Sequence, residues 1–277
     1  TDGALVAIDG KTLRSSYDRE DRTSTIHMVS AYAAANKLVL GQIKTDAKSN
    51  EITAIPELLA LLDIKGCLVS IDAMGCQTEI AETILQQGGD YLLAVKGNQP
   101  KLFEAVRQAL APLAATPLCA ETMTLEKAHG RIDGREYHVM AAGELAAQFP
   151  HWKQLHSIGV AISYRVENMQ KITIEQRYFI SSKALVQDEF ARAVRGHWAI
   201  ENSLHWVLDV TMGEDDCPIY RGDAAEILAC IRHMGLNMLR AETSRKASVR
   251  RKQKIAGMSS EYLETVLNAG LKKLGEI

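Results

Sequence analysis

The segment Val194–Asp216 reads VRGHWAIENSLHWVLDVTMGEDD, and its apolar residues recur at the spacing of an α-helix. Ile200, Leu204, Val207 and Leu208 share one side of that helix, so they form a stripe of the kind that packs into a core. The segment is therefore predicted to be a helix with one buried face.

A second stripe lies beside the apolar one and has an unusual composition. It carries His197, Trp198, Glu201, His205 and Asp209. Solvated helix faces are usually rich in Lys, Glu and Gln that form ion pairs one turn apart, whereas this face surrounds a single glutamate with tryptophan and histidine. Two interpretations remain open: a salt-bridged structural glutamate with tryptophans in the core, or a functional carboxylate.

Two apolar segments earlier in the chain end in an aspartate. Leu5–Asp9 is followed by Gly10, and Cys67–Asp72 is followed by a similar break. A third apolar segment, Asp90–Val95, leads into Lys96–Pro100, which reads KGNQP. Strands that alternate with helices are expected to be parallel, and the carboxyl ends of such strands form the functional crevice of an open sheet. Asp9, Asp72 and the KGNQ segment are thus predicted to face one crevice.

The elements between these strands follow a regular order. Ser24–Ala35 and Leu38–Thr45 predict a hairpin that turns at Asn36-Lys37, and helical periodicity follows in three segments. The predicted helices are Glu51–Leu62, with Asn50 as its cap, Thr78–Gln87 and Lys101–Leu110. The predicted order is β-β-β-α-β-α-β-α, which is typical of an α/β core.

The periodicity of the apolar residues changes after Pro112. Four short alternating segments predict a β-rich region: Glu121–Glu126, Arg135–Met140, Ser157–Val166 and Lys171–Ile180. Helical patterns resume with Asp188-Glu189 in a first turn and continue in Ala224–Leu239 and Glu261–Leu274. The chain is therefore predicted to place a β-rich insertion before the Glu201 helix.

Composition sets limits on the class of protein. A chain of 277 residues, 47% of them hydrophobic, can form a packed core, and no apolar run approaches the roughly 18 residues of a membrane span. The five cysteines lack CxxC spacing, so neither a disulfide framework nor a zinc knuckle is predicted. We expect a cytoplasmic protein without a membrane partner. The absence of an initial methionine suggests that an N-terminal part is missing.

The net charge of -2 conceals an uneven distribution. Arg232–Lys254 contains eight lysine and arginine residues against one acid, Glu242. Such a block commonly contacts nucleic acid, although a solvated helical face has the same composition.

Asp9, Asp72 and Glu201 would require a cation if the fold brings them together. Clustered carboxylates repel one another, and Mg²⁺ or Mn²⁺ offsets that repulsion with the oxygen ligands it prefers. Two such ions can activate an attacking oxygen and stabilise the leaving oxygen of a phosphodiester. An aspartate after a strand is also a common turn residue, so the residues alone leave both interpretations open. Four further acids offer alternatives for the third ligand: Asp209, Glu214, Asp215 and Asp216.

Several ordered motifs carry a family resemblance that spans most of the chain. They read AIDGKTLR, GQIKTDAKSNEITAIPELL, IDAMGCQTEIAE, GGDYLLAVKGNQ, RGHWAIENSLHWVLDV, EDD and IRHMGLN. With these motifs the chain resembles bacterial DDE transposases of the insertion-sequence group that includes the H-repeat-associated proteins of Rhs elements.

The resemblance implies a fold and an active site. It implies an α/β, ribonuclease-H-like mixed sheet flanked by helices, with a β-rich insertion before the last catalytic helix. The implied divisions are a first part of the catalytic core at 1–112, the insertion at 113–184, and a catalytic helix with basic C-terminal helices at 185–277. The resemblance assigns Asp9, Asp72 and Glu201 as catalytic residues and metal ligands. The implied cofactor is Mg²⁺, bound as two ions, with Mn²⁺ as a substitute.

The sequence also departs from the wider family. Related transposases often carry a Tyr, Arg, Glu, Lys signature around the last acid, but here His197 precedes Glu201 and Leu208 follows it. We expect other residues to take the supporting roles at the DNA. The predicted DNA contacts are Lys11, Arg14, Lys96, Asn98, Gln99, Arg195, His197, Trp198, Asn202, His205, Arg245, Lys246, Arg250, Arg251 and Lys252. The segment His129-Gly130-Arg131 fits a hairpin with or without a DNA role.

The resemblance implies metal-dependent cleavage of transposon ends and transfer of the 3′-hydroxyl to target DNA. The implied partner is double-stranded DNA, both transposon ends and target, with a homodimer as a possible synaptic assembly. Two alternatives stay open: a plain endonuclease on the same fold, and an inactive remnant that only binds DNA. Strand cleavage with a divalent metal distinguishes the enzymes from the remnant.

Overall fold

The chain folds into alternating strands and helices, in the predicted order through its first half. The computed structural model describes residues 4–21, 25–45, 51–114, 124–128, 131–167 and 171–274. The elements are β1 Leu5–Leu13, β2 Ile26–Ala33, β3 Leu38–Thr45, α1 Glu51–Ala60, β4 Leu68–Ile71, α2 Thr78–Gln86, β5 Asp90–Val95, α3 Pro100–Ala114, β6 Thr124–Ala128, β7 Arg131–Ala141, α4 Glu144–Gln148, β8 Ser157–Glu167, β9 Lys171–Ser181, α5 Gln187–Ile200, a π-turn at Glu201–His205, α6 Trp206–Val210, α7 Ala224–Ala241, α8 Val249–Met258 and α9 Ser260–Leu274. Asn50 and His129-Gly130, which figured in the sequence predictions, lie outside the described residues.

Packing divides the chain into two units. The first comprises the chain through Ile8 together with Asp63–His197, and the second comprises Asp9–Leu62 together with the chain from Trp198 onward. These units do not coincide with the divisions at 112 and 184, which stay a prediction about domain organisation. Among the described helices, none is both long and apolar enough to cross a membrane.

The first unit is built on a mixed sheet. The first half of β1 pairs in parallel with β4, with Ile8 opposite Ile71, and β4 pairs in parallel with β5. This confirms the parallel strands predicted from the alternation with helices. Antiparallel pairing then continues from β5 to β9, β8, β7 and β6. The β-rich segment therefore extends the same sheet.

Helix α5 packs on this sheet through Phe190. Its ring contacts Phe179 and Tyr137 edge to face, with centroid separations of 5.5 and 6.3 Å. Gly159 lies beneath the ring, where a Cβ would be 2.6 Å from the Phe190 Cζ atom. The absence of a side chain at this position lets the helix that leads to Glu201 approach the sheet closely.

The second unit contains the predicted hairpin. Strands β2 and β3 pair antiparallel from His27↔Thr45 to Ala33↔Leu38, and the turn between them contains Asn36-Lys37 as expected. Lys37 adopts a left-handed conformation with φ of 54°. Such a conformation is uncommon for a residue with a Cβ and marks a position held by its surroundings.

Strand β1 continues beyond Asp9 to Leu13, which corrects the prediction that the strand ends at the aspartate. Gly10 permits the continuation because a Cβ there would collide with the side chains of His27 and Glu51. Leu13 is buried in a cluster with Met28 and Ala229. The apolar cluster extends the strand past the polar residues that had suggested a break.

A buried polar cluster joins α7, α8 and α9. Glu242 accepts hydrogen bonds from Tyr262 Oη (2.6 Å), from Ser244 Oγ and from the Arg245 amide (3.1 Å), and it pairs with Lys252 Nζ at 3.2 Å. Burial alone would raise the pKa of Glu242, but the hydrogen bonds from Ser244, Tyr262 and Lys252 outweigh it and lower the pKa to about 2. The carboxylate therefore stays ionised inside the protein.

Lys252 lies in this cluster and is only 7% exposed. Its ammonium group also donates to the carbonyls of Leu239 and Glu242. The Lys252 charge points into the protein and is already paired with Glu242, and its predicted DNA contact stays a prediction.

We predict that Glu242→Gln destabilises the protein by about 3 kcal/mol near pH 7, because it leaves the Lys252 charge buried without its partner. The folded-state pKa of Glu242 is depressed, so its stabilisation is complete above its unfolded pKa and is lost as the pH falls towards about 2. Thermal unfolding at a series of pH values measures this. The variant should lose part of the acid dependence seen between about pH 5 and pH 2.

The matched control is Glu264→Gln, since Glu264 is exposed on α9. Equal stability of the two variants would show that the Glu242 cluster does not hold these helices together.

Candidate active site

The helix that carries Glu201 contains a local change of winding. In the π-turn Glu201–His205 the hydrogen bonds span five residues, and the Trp206 amide donates to the Glu201 carbonyl. Ile200, Leu204 and Leu208 are buried, which confirms the predicted apolar stripe. The widened turn was not predicted, because helical periodicity in a sequence does not distinguish α from π winding. Single π-turns inside helices are frequent at functional sites.

Glu201 and His205, at the two ends of the π-turn, lie beside Asp9. Each of the three residues offers one ligand atom, and these atoms lie within 4.8 Å of one another. The His205 Nδ1 atom is 3.6 Å from Asp9 Oδ2. Glu201 is exposed and Asp9 is partly exposed, so the group opens to solvent on one side.

This donor set fits a divalent cation. An ion that binds its ligands at about 2.1 Å spans about 4.2 Å between opposite ligands, close to the observed limit. Carboxylates suit Mg²⁺ and Mn²⁺, and an imidazole nitrogen suits Mn²⁺ and other transition metals better than Mg²⁺. Asp9 and Glu201, with His205 as a nitrogen donor, could therefore hold the metal. His205 is 7% exposed and faces Asp9, and its predicted DNA contact stays a prediction.

Lys11, two residues after Asp9 on β1, occupies the centre of an acidic cluster. Its Nζ atom lies 2.6 Å from Asp209 Oδ1, 2.9 Å from Glu214 Oε2 and 3.1 Å from Asp215 Oδ1. Burial alone would lower the pKa of Lys11, but Asp209 and Glu214 outweigh it and raise the pKa. The ammonium group thus stays charged and binds the chain that follows the π-turn to β1.

This cluster bears on two expectations. The Lys11 side chain is 10% exposed and its charge is matched by carboxylates, and its predicted DNA contact stays a prediction. Asp209, Glu214 and Asp215 are occupied by Lys11, so they are poor alternatives to Glu201 as a metal ligand. Arg14, by contrast, keeps an accessible guanidinium, because its side chain is 81% exposed. Its Nε atom lies 3.4 Å from Asp215 Oδ2.

Asp72, in the first unit, directly follows β4 as predicted. Its Oδ1 atom accepts hydrogen bonds from the Met74 amide (3.0 Å) and the Gly75 amide (3.3 Å). The Asn98 amide donates to the Ala73 carbonyl at 2.6 Å, which fastens the KGNQ segment to the loop after Asp72. That Asp72 converges with Asp9 and Glu201 stays a prediction.

The other residues of the KGNQ segment divide into two kinds. Gln99 donates to the Cys76 carbonyl at 2.9 Å, whereas Lys96 is exposed. Asn98 and Gln99 thus hold the backbone around Asp72 with their amide donors. Their predicted DNA contacts stay predictions, as does that of Lys96.

His197 lies against the sheet of the first unit. A hydrogen bond of 3.0 Å joins its Nδ1 atom to the Ser70 Oγ atom on β4. Burial lowers the pKa of His197 to about 4, so the ring is neutral near pH 7. A neutral ring offers no charge to a phosphate, and the predicted DNA contact of His197 stays a prediction. It fastens α5 to the strand that precedes Asp72.

The remaining predicted DNA contacts are accessible to different degrees. Arg195 pairs with Glu126 at 3.0 Å while its side chain is 46% exposed, Asn202 is exposed and Trp198 is partly buried. The basic residues before and on α8 face solvent, apart from Lys252: Arg245, Lys246, Arg250 and Arg251. Ser248 caps α8 by accepting a hydrogen bond from the Arg251 amide. This cap fixes the first turn of the helix, which carries Arg250 and Arg251.

Sequence reasoning missed a polar stripe on α7. His233, Asn237 and Arg240 recur at helical spacing, and all three side chains are at least partly buried. Asn237 exchanges hydrogen bonds with both backbone groups of Val39, and Arg240 donates to the Ser203 carbonyl inside the π-turn. The sequence pattern could have revealed this stripe, because three polar residues one or two turns apart interrupt the apolar face of a core helix.

Comparison with solved structures includes a weak likeness to another transposase. A cryo-EM structure of the piggyBac transposase synaptic complex with hairpin DNA has a TM-score of 0.48 and 12% sequence identity. The likeness covers 99% of this chain and 54% of that one. A TM-score below 0.5 does not establish a shared fold.

Comparison with protein families and curated proteins is decisive. The family model described as Transposase DDE domain matches residues 1–238. YbfL and YhhI of Escherichia coli K12 are each 48% identical over 272 residues, which is 96% of this chain and 72% of each relative. The name of YhhI describes it as an H repeat-associated candidate transposase, and a relative from E. coli O157:H7, YncI, is 48% identical over 279 residues, 99% of this chain and 71% of its own length. This chain therefore belongs to the transposase DDE domain family, in the bacterial insertion-sequence group that includes the H repeat-associated proteins.

Proposed function

We propose that this transposase cleaves phosphodiesters at the ends of its element and joins the freed 3′-hydroxyl to target DNA. Asp9, Asp72 and Glu201 are the proposed catalytic carboxylates, with Mg²⁺ as the cofactor, bound as two ions, and Mn²⁺ as a substitute. The main support is that Asp9 and Glu201, distant in sequence, present ligand atoms within 4.8 Å of each other. A bound cation would offset the repulsion between these two carboxylates.

The proposed chemistry has two steps. Water attacks the phosphorus at the transposon end, and the P–O3′ bond breaks to leave a 3′-hydroxyl and a 5′-phosphate. That 3′-hydroxyl then attacks a target phosphodiester, forms a new P–O bond and releases the target's own 3′-hydroxyl. A bound divalent ion would supply activation of the attacking oxygen and stabilisation of the leaving oxygen.

The residues of the chain have separate tasks in this proposal. Asp9 and Glu201 hold the cation, and His205 adds a nitrogen donor beside Asp9. Asp72 is the third carboxylate, and Asn98 holds the loop that follows it. Lys11 keeps the chain after the π-turn attached to β1, so the two catalytic elements of the second unit move together.

We also propose that the α/β fold is ribonuclease-H-like, with a core at 1–112, a β-rich insertion at 113–184 and a catalytic helix with basic helices at 185–277. The parallel pairing of β1, β4 and β5 supports this, as does the antiparallel β2–β3 hairpin beside β1. The strands of the insertion precede the Glu201 helix in the chain, as the proposal requires.

Double-stranded DNA is the proposed partner, with a homodimer to hold two ends. The exposed charges of Arg245, Lys246, Arg250 and Arg251 offset the net charge of -2 at one place on the surface. Phosphate contacts from such residues provide affinity without sequence preference.

We predict that Glu201→Gln reduces metal-supported cleavage and strand transfer by about a thousandfold, while folding and duplex binding stay near normal. Glutamine keeps the shape and one acceptor oxygen but removes the charge that holds the cation. The measurement is cleavage of duplexes that carry the element's own ends, in Mg²⁺ and in Mn²⁺, by the full-length protein.

Glu261→Gln is the matched control, because Glu261 is exposed at the start of α9. Cleavage by Glu201→Gln at the rate of this control would reject the catalytic role. Cleavage without strand transfer by the wild type would indicate the endonuclease, and binding without cleavage would indicate the inactive remnant.

We predict that replacing Arg250 and Arg251 by Gln weakens binding to any duplex and flattens its salt dependence, by about 0.9 in slope for each lost phosphate contact. Fluorescence anisotropy over a range of salt concentrations measures this with two unrelated duplexes. The control replaces Lys101 and Arg107, which are exposed on α3, by Gln. An unchanged salt slope would leave the α8 charges as ordinary solvated surface.

A further inference from the structure

Arg240, on α7, reaches the π-turn from the side. Its guanidinium donates to the Ser203 carbonyl in the middle of the turn and, through Nη1, to the Lys37 carbonyl at 2.8 Å. The guanidinium also lies over the Tyr32 ring, 5.9 Å from the ring centroid. One side chain thus connects the turn that carries Glu201 with the tip of the β2–β3 hairpin.

The surroundings of Arg240 are unusual for an arginine. Within the described ranges, no carboxylate lies at ion-pair distance from it, and its side chain is partly buried. Burial lowers the pKa of Arg240, although the Tyr32 side chain opposes this shift. A cation that is partly removed from water costs free energy unless hydrogen bonds replace its hydration, and two carbonyls supply them here.

Helix α7 is also attached to the β2–β3 hairpin by a second residue, Asn237. Asn237, one turn before Arg240, accepts a hydrogen bond from the Val39 amide (3.0 Å) and donates to the Val39 carbonyl (2.8 Å). This pairing satisfies both backbone groups of a residue on β3. Helix α7 is therefore attached to the hairpin, and Arg240 extends that attachment to the π-turn.

Ser203 lies between the two ends of the turn, Glu201 and His205, which carry the proposed metal ligands. A π-turn has poorer hydrogen-bond geometry than an α-helix and persists where surrounding contacts hold it. A donor that fixes the central carbonyl fixes the direction in which both ends point. Helix α7 supplies that donor from a position that does not touch the ligand atoms themselves.

We propose that Arg240 is a positioning residue of the active site, which holds the π-turn in the form that directs Glu201 and His205 towards Asp9. This rests on the proposed function in so far as these three residues hold the metal. The effect on the turn itself does not depend on metal and is measured separately.

The first experiment is hydrogen exchange of the metal-free protein. In Arg240→Gln the Trp206 amide, which donates to Glu201 across the π-turn, should exchange about tenfold faster or more, because the outside support of the turn is lost. Arg240→Lys should recover only part of the protection, since an ammonium group does not reproduce the fork of donors that reaches both carbonyls. Amides of α8 and α9, which belong to the same unit as Arg240, report on the stability of that unit and should keep their wild-type exchange.

Two control variants separate the turn from general packing. Asn237→Ser loosens α7 from β3 without touching Ser203, and Arg107→Gln removes an exposed arginine from α3. Neither should accelerate Trp206 selectively. Unchanged Trp206 exchange in Arg240→Gln would overturn the proposal, and so would equal acceleration throughout the protein.

The second experiment measures Mn²⁺ affinity by the electron paramagnetic resonance signal of free Mn²⁺. Arg240→Gln should bind Mn²⁺ about tenfold more weakly than the wild type, as expected when a residue that orients metal ligands is removed. Glu201→Gln marks the loss of a ligand, and Arg107→Gln should match the wild type.

The outcomes distinguish the two proposals. Weakening by Glu201→Gln together with normal binding by Arg240→Gln would overturn the positioning role and leave the metal site intact. Binding that is unaffected by Glu201→Gln would overturn the proposed metal site, while the exchange of Trp206 would still decide whether Arg240 holds the turn.

Discussion

The ion cluster around Lys11 is the interaction on which the geometry of the proposed active site in the second unit depends. A single ammonium group binds Asp209, Glu214 and Asp215, which lie in the chain just after the Glu201 helix, to a strand that also carries Asp9. Removing one partner of a buried charge cluster leaves uncompensated charge in the interior, so such a cluster tolerates little movement. Because Lys11 and Asp9 are two residues apart on one strand, the same contact that fixes the acidic segment also limits where Glu201 can lie relative to Asp9.

The cluster also shows why sequence reasoning found the carboxylates but not their partners. Asp9 and Glu201 stand out locally, one in an apolar strand and the other on an aromatic helix face. Lys11 looks like a free basic residue, because nothing near it in sequence shows that three acids some two hundred positions away will surround it. The parallel strands and the hairpin were predictable for the opposite reason: apolar runs and turn residues are local signals. The continuation of β1 through Gly10 was not, since it depends on His27 and Glu51 packing against that glycine.

The basic residues also show that sequence alone does not reveal which side chains the fold will bury. The charge-rich segment before and along α8 mixes two populations that composition cannot separate. Lys252 points inward and neutralises Glu242, whereas Arg250 and Arg251 point into solvent. Position on the helix decides between them, because neighbouring residues on a helix face different directions. His197 and His205 differ from solvent-exposed histidines for a related reason: the first bonds to Ser70 and the second faces Asp9, contacts that only the fold creates.

Three local features of the second unit carry a free-energy cost, and one of them, the Arg240 side chain, contacts the other two. The π-turn winds less favourably than an α-helix, Lys37 adopts a left-handed conformation that costs about 1 kcal/mol or more, and Arg240 is partly buried without a carboxylate among the described residues at ion-pair distance. The Arg240 guanidinium bonds to the carbonyls of both strained segments. Sequences generally satisfy local preferences in most elements and violate them where function requires a particular geometry. Here the violations converge on the turn between Glu201 and His205, so the costs are concentrated where the direction of two side chains decides how they face Asp9.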